Sequence, residues 1–210
     1  SYHQLGDFSY VRENFYEAEE YYKKAFSLDK QLAAETETVE SRNNLSDIYN
    51  KLGNVERKRG NFNKAEEYYR KGLSLSEQLA EETGMFEFRY DMAYTYESLG
   101  DISRTRGKLD LSKEFYFKCI NLREQLTEEH KTIEDYYDLA KSYYSLATLK
   151  KPFDKDLLEK ALNIYSELEK KCPEEFLYSE QKEMIKSKLN QINKVENFKK
   201  WIMGLKKRKE

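Results

Sequence analysis

A leucine-glycine pair returns at a fixed interval along this chain, and that interval limits what the chain can fold into. Leu5-Gly6, Leu52-Gly53 and Leu99-Gly100 stand 47 residues apart, and one more step lands on Leu146-Ala147. Tyr2, Tyr49, Tyr96 and Tyr143 keep the same step. So do Tyr21, Tyr68 and Phe115; Tyr22, Tyr69 and Tyr116; and Leu28, Leu75 and Leu122. The Gln31-Leu32 pair recurs as Gln78-Leu79 and Gln125-Leu126. So many columns in one register mark an internal repeat, in which each unit buries its apolar face against its neighbours. A globin-like fold or a simple bundle has no reason to show them.

Each unit reads as two helices. Leu45, Ile48, Tyr49, Leu52 and Val55 follow the helical period and fall on one face. Gly60 supplies a left-handed residue that ends this helix, and Gly107 repeats it one unit later. A second periodic stretch follows through Phe62, Ala65, Tyr68, Tyr69, Gly72, Leu73 and Leu79, running to about Glu82. Each helix spans about 20 residues, roughly 30 Å. Gly6, Gly53 and Gly100 lie inside helices, where glycine costs about 1 kcal/mol relative to alanine. Close approach of the paired helix offsets that cost, and Ala147 meets the same need for a small residue. The column Ala25, Gly72 and Cys119 is small for the same reason, so Cys119 reads as a buried small hydrophobe. The leucines at 5, 52, 99 and 146 should share one environment.

These residues resemble the tetratricopeptide repeat, whose pattern is Trp-x2-Leu-Gly-x2-Tyr, then Ala-x3-Phe, then Pro. Tyr49, Leu52 and Gly53 match the first part, and Ala65 with Tyr69 the second. Glu56 stands where the family has Tyr, the closing Pro is absent, and the step is 47 against 34 in the common form. The helices are therefore longer, like those of elongated repeats in many bacterial multidomain proteins. The resemblance covers residues 2–170. It implies an all-α, right-handed α-solenoid of antiparallel helix pairs with a C-terminal capping helix. It also implies a non-catalytic scaffold that holds a protein or peptide partner in a concave groove lined by the first helix of each unit.

Residues 1–172 then hold about three and a half helix pairs, the first truncated because residue 2 corresponds to mid-helix residue 49. That truncation suggests a piece of a longer protein. The fourth unit departs from register: its turn is Lys150 to Asp154, with Pro152 in place of glycine. Its second helix returns through Leu157, Leu158, Ala161 and Leu162 after a step of 42. Lys171-Cys172-Pro173 closes it. Residues 173–210 form the capping helix and a basic tail, Lys206-Lys207-Arg208-Lys209. The stripe Ile185, Leu189, Ile192, Val195, Trp201, Ile202 and Leu205 is longer than one cap needs. Either Trp201 and Leu205 fold back onto the array, or the tail meets something beyond the chain, such as a second copy. Self-association through this helix or the truncated first helix is a further expectation.

Chemistry has little to work with. His3 and His130 lie in different units, and the two cysteines form no pair with them. There is no phosphate-binding glycine loop and no nucleophile elbow. We therefore expect no enzyme, no cofactor and no metal. The acidic pairs Glu19-Glu20 and Glu66-Glu67 read as solvated faces with local ion pairs. Arg12, Arg59 and Arg106 recur near helix C-termini, where cations suit the dipole. Although 36% of residues are charged, the net charge is −2, so nucleic acid and anionic membranes are not expected partners. Mean hydropathy is −0.97 and no apolar run is long enough to span a bilayer. No signal peptide is visible and the cysteines show no framework spacing, so the expected location is cytoplasmic.

The helical wheel proposes the groove. Opposite Leu45, Ile48, Tyr49 and Leu52 stand Asn43, Asp47, Asn50, Asn54 and Arg57. One step on gives Tyr90, Tyr94, Glu97, Asp101 and Arg104; the next gives Tyr137, Lys141, Tyr144 and Thr148; the first unit gives His3, Asp7 and Tyr10. Asparagine pairs both ways with peptide backbone, and tyrosine offers area at low entropic cost. Chaperone-binding members of the family hold a terminal carboxylate with Lys, Asn, Asn, Lys and Arg. Here those columns read Asn50, Asn54, Ser98, Lys141 and Ser145, a departure from that clamp. An alternative function is a sensory arm that binds a peptide and controls an effector domain of a larger signalling protein.

Overall fold

The computed structural model describes residues 1–206; the side chains of Ile202 and of residues 204–206 lie outside that description. The described residues form nine helices and no strand: α1 Tyr2–Val11, α2 Phe15–Thr36, α3 Val39–Lys58, α4 Phe62–Thr83, α5 Phe86–Thr105, α6 Leu109–His130, α7 Ile133–Ala147, α8 Lys155–Lys171 and α9 Phe176–Lys206. Consecutive helices pack as pairs. The chain divides into two compact units, Ser1–Leu122 and Arg123–Glu210, the division falling inside α6.

Helix boundaries follow from local chemistry, again at the 47-residue step. Asn14, Thr38, Thr132 and Asp154 cap α2, α3, α7 and α8 through their side-chain oxygens. The left-handed position ending each first helix falls at Glu13, Gly60 and Gly107, with φ of 60°, 78° and 72°. A second left-handed column closes the second helices at Glu37, Gly84 and Lys131, with φ of 50°, 68° and 58°. Only one of those three residues is glycine, which is why the column does not stand out in the sequence. α7 stops at Ala147, well before Pro152, so the proline follows the break and does not cause it.

The internal glycines do bring paired helices together. A Cβ on Gly53 would sit 2.8 Å from the Tyr69 ring, one on Gly100 2.8 Å from Tyr116, and one on Gly6 2.3 Å from Tyr22. Each of these tyrosines is buried, and its hydroxyl donates to the residue after the glycine: Tyr22 to Asp7 at 2.7 Å, Tyr69 to Asn54 at 2.5 Å, Tyr116 to Asp101 at 2.7 Å. Burial raises all three phenol pKa values, so the hydroxyls stay donors. A second ring column packs alongside: Tyr2 on Tyr21 and Tyr96 on Phe115 stacked, Tyr49 tilted against Tyr68, with centroids 6.4, 6.2 and 6.2 Å apart. Much of the chain's tyrosine content is thus built into the repeat.

The apolar core of the first unit lies between successive pairs. Ala18, Tyr22 and Ala25 of α2 pack with Ile48, Leu52 and Val55 of α3. One step on, Ala65, Tyr69 and Leu73 of α4 pack with Ala93, Tyr96, Leu99 and Ile102 of α5 and with Phe115 and Cys119 of α6. Cys119 is buried and outside any disulfide. The leucine column is not uniform: Leu52, Leu99 and Leu146 are buried, whereas Leu5 is 45% exposed because α1 has no helix on its outer side among the described residues.

Glu19 and Glu66 are more than solvated charges. Arg59 donates to Glu19, and Arg106 to Glu66 at 2.9 Å, each pair joining the end of a first helix to the start of the preceding second helix. Burial pushes the Glu19 carboxyl up, but hydrogen bonds and charge from Lys23 and Arg59 outweigh it and hold it below the ordinary value. Glu66 also keeps the local pair with Arg70 at 2.9 Å.

In the second unit, Arg123 reaches from the end of α6 to Ser142 Oγ and the Asp138 carbonyl, both at 2.6 Å. Tyr143 donates to Glu124, as Tyr96 does to Glu77 at 2.8 Å one step earlier. α9 packs on α8, with Tyr178, Ile185 and Leu189 buried and the Tyr178 ring 5.9 Å from that of Tyr137 on α7. Its stripe then runs into solvent: Trp201 is 60% exposed, and its ring stacks only on Phe198 among the described aromatic contacts. Trp201 does not fold back onto the array. Lys207, Arg208 and Lys209 of the basic tail lie outside the described residues, as does the Leu205 side chain.

Candidate partner-binding face

The first helices of the first unit, α1, α3 and α5, lie side by side and are fastened by polar contacts. Lys51 of α3 reaches Asp7 of α1 at 3.0 Å and Asp47 at 3.2 Å. His3 lies 2.8 Å from Asp29 and 3.8 Å from Asp47. Between α3 and α5, Thr95 donates to Asn50 at 3.1 Å and Tyr94 donates to Asn54 at 2.8 Å.

This fastening changes the part played by two predicted groove residues. Asn50 and Glu97 are buried, so neither is on an accessible face. Asn50 is turned into the seam between α3 and α5, where it accepts from Thr95. Asn50 Oδ1 also sits where a Cβ on Gly72 would fall, 2.9 Å away, so it fills the notch that glycine leaves. Asn54 is half-buried and accepts from both Tyr69 and Tyr94. Asp101 is half-buried and accepts from Tyr116.

The accessible part of the predicted set is smaller. Asp47, Tyr94 and Arg104 are exposed, and Asn43 and Tyr90 are half-buried. The Asn43 Oδ1 is buried without a hydrogen-bond partner, and the Tyr90 ring lies edge-on to Phe86 at 6.1 Å. In the second unit, Lys141 is exposed and Tyr144 is half-buried, its hydroxyl 3.3 Å from Met184 Sδ and its ring 5.7 Å from Lys188.

Arg57 is the centre of charge on this face. It is half-buried beside Tyr69, Tyr94 and Asp101, and it also acts on Tyr10. Burial disfavours its charge, but the hydroxyls and Asp101 outweigh that. No carboxylate lies within salt-bridge distance of Arg57 among the described residues, and its Nε has no hydrogen-bond partner. Arg104 repeats the position beside the Tyr116 hydroxyl.

Asp91, which the wheel did not propose, carries the largest carboxylate shift on this face. Burial pushes it up to about 6, with Asp47 and Glu87 adding repulsion. No sequence signal marks it, because its environment depends on where α3 lands against α5. Among the described residues, no group of three or more His, Cys, Asp or Glu is placed to hold a metal ion, and no helix is long and apolar enough to cross a membrane.

Comparison with known proteins places this geometry. No protein of curated function matches the sequence. Among solved structures, BtubC (BKLC) from P. vanneervenii is 18% identical, covering 92% of this chain and 78% of that one, with a TM-score of 0.51. A putative kinesin light chain of nearly identical TPR-like repeats from Podosopora anserina is 10% identical, covering 100% and 95%, with a TM-score of 0.56. At these identities the likeness is one of fold. Two family models, both described as tetratricopeptide repeat, match residues 1–78 and 93–126, together 112 of the 210 residues. The second match is 34 residues long, the length of the common repeat, so the rest of the 47-residue step lies in the extended helix ends. With paired helices, the glycine-tyrosine approach and both family matches, the chain belongs to the tetratricopeptide repeat family.

Proposed function

We propose that this chain is a non-catalytic scaffold that binds a peptide, or an exposed segment of a partner protein, along α1, α3 and α5, and that the peptide presents an acidic side chain to Arg57. The observation that carries this reading is the unfilled coordination of Arg57. Tyr69, Tyr94 and Asp101 already offset the burial of this guanidinium, but its Nε is unpaired and no carboxylate lies at salt-bridge distance among the described residues, so it keeps capacity for charge-assisted hydrogen bonds. An incoming carboxylate supplies them. Tyr94 and Arg104 flank the position with an exposed ring and a second cation, and Asp47 sets a limit on one side by repelling acidic groups. The family's general use as a protein-binding scaffold supports the same reading.

The test is selection of peptides from a random display library on the 210-residue chain, in parallel with Arg57→Gln and Tyr94→Ala. The reading predicts a consensus containing Asp or Glu, recovered by the parent and lost by both variants. The same consensus on all three proteins, or one without an acidic position, would sink the assignment. Arg57→Gln keeps the stem and a donor, and circular dichroism checks that it folds.

A further inference from the structure

α1 exposes what its equivalents bury. Leu5 corresponds to Leu52 and Leu99, which are 2% and 1% exposed; Phe8 corresponds to the buried Val55 and Ile102 and is itself 57% exposed. The equivalents are covered in a defined way. Leu52 and Val55 pack with Ala18, Tyr22 and Ala25 of the preceding second helix, and Leu99 and Ile102 with Ala65 and Tyr69. The same pattern extends to charge. Arg59 and Arg106 each reach back forty residues to a glutamate on that preceding helix, Glu19 and Glu66. Arg12, the next member of the column, has no carboxylate within salt-bridge distance among the described residues, and its guanidinium lies 4.4 Å over the Phe8 ring.

We propose that the face formed by Leu5, Phe8 and Arg12 docks the second helix of a further tetratricopeptide-type repeat, one not contained in these 210 residues. That helix has a small residue, then glutamate, then tyrosine three positions on: the pattern Ala18-Glu19-x2-Tyr22, repeated as Ala65-Glu66-x2-Tyr69. Its glutamate meets Arg12, and its small residue and tyrosine cover Leu5 and Phe8. The argument is internal to the molecule, because the chain itself shows twice what such a face accepts. It is independent of the peptide-binding reading.

The test fuses a copy of residues 1–47 ahead of Ser1. The copied Glu19 then precedes Arg12 by the same forty residues that separate Glu19 from Arg59. Amide hydrogen exchange across residues 2–11 is expected to slow by about tenfold or more relative to the unfused chain. Changing the copied Glu19→Lys partly reverses the protection, and adding Arg12→Glu restores it. Unchanged exchange across residues 2–11 would overturn the proposal. So would a dimer of the unfused chain, seen by light scattering and abolished by Phe8→Glu, because the occupant is then a second copy. If the fusion does not fold, the unfused chain still decides. Leu5→Ser with Phe8→Ser leaves its denaturation midpoint nearly unchanged if the face is open, while Leu52→Ser lowers it sharply. A loss comparable to that of Leu52→Ser would show that the face is already covered.

Discussion

Replacing Gly53 with alanine should destabilise this protein, against the ordinary expectation for a helix interior. Glycine to alanine there gains about 1 kcal/mol from backbone entropy. The new Cβ, however, would lie 2.8 Å from both Cδ1 and Cε1 of Tyr69. That ring cannot move away: it is fully buried, and its hydroxyl is held by Asn54 at 2.5 Å. Overpacking of this kind costs about 1–3 kcal/mol, and contact with two anchored ring atoms places Gly53→Ala toward the upper end. The net loss is then about 1–2 kcal/mol, or roughly 2–8 °C in Tm for a chain of this size. Urea denaturation followed by helical circular dichroism measures it. The fourth unit suggests the matching rescue. There the glycine column becomes Ala147 and the tyrosine column becomes Leu158, and both are buried. Tyr69→Leu should therefore cost less in the Gly53→Ala background than alone. A Gly53→Ala variant as stable as the parent, or a Tyr69→Leu cost equal in both backgrounds, would refute the close-approach argument.

Asp91 gives a pH signature. Its folded pKa of about 6 lies above the unfolded carboxylate value, so its ionisation opposes folding. The penalty is absent below about pH 4, grows between about pH 4 and 6, and is complete above that. Asp91→Asn should thus be more stable than the parent at about pH 8, by up to about 3 kcal/mol, and no more stable at about pH 4. An equal difference at both pH values would contradict the assignment. Glu37→Gly and Lys131→Gly should each raise the unfolding free energy, by about 1 kcal/mol or less, and with it the urea midpoint, because both residues hold positive φ; a lower midpoint would show that the side chains matter more than the backbone. Trp201 is the single tryptophan and is largely exposed, so the protein's emission should resemble that of tryptophan in water and quench readily with iodide. A blue-shifted, protected emission would mean that something covers α9.

The fold was legible because close helix approach leaves a mark in composition. A glycine, a ring and a hydroxyl acceptor must stand at fixed offsets for two helices to meet in this way, and Gly53, Tyr69 and Asn54 repeat as Gly100, Tyr116 and Asp101. The binding face was legible only in outline. A helical wheel gives each residue's angle to its own paired helix but not where the next unit's first helix will lie. Asn50 falls into that seam, and Asp91 acquires its environment there. The Arg59 and Glu19 pair was hidden for a related reason: forty residues is neither a helical period nor the repeat step, and becomes a contact only once a first helix crosses the start of the preceding one. Arg57 was found by position alone; its lack of an acidic partner is a property of packing.

The measurement that bears most directly on the account is a set of three nuclear Overhauser contacts, between the glycine Hα protons and the tyrosine ring protons at Gly6 and Tyr22, Gly53 and Tyr69, and Gly100 and Tyr116. Helix pairs stacked in one register predict all three cross-peaks. Their absence at Gly53 and Gly100 would mean that the helices do not meet there, and the face built on α1, α3 and α5 would lose its frame.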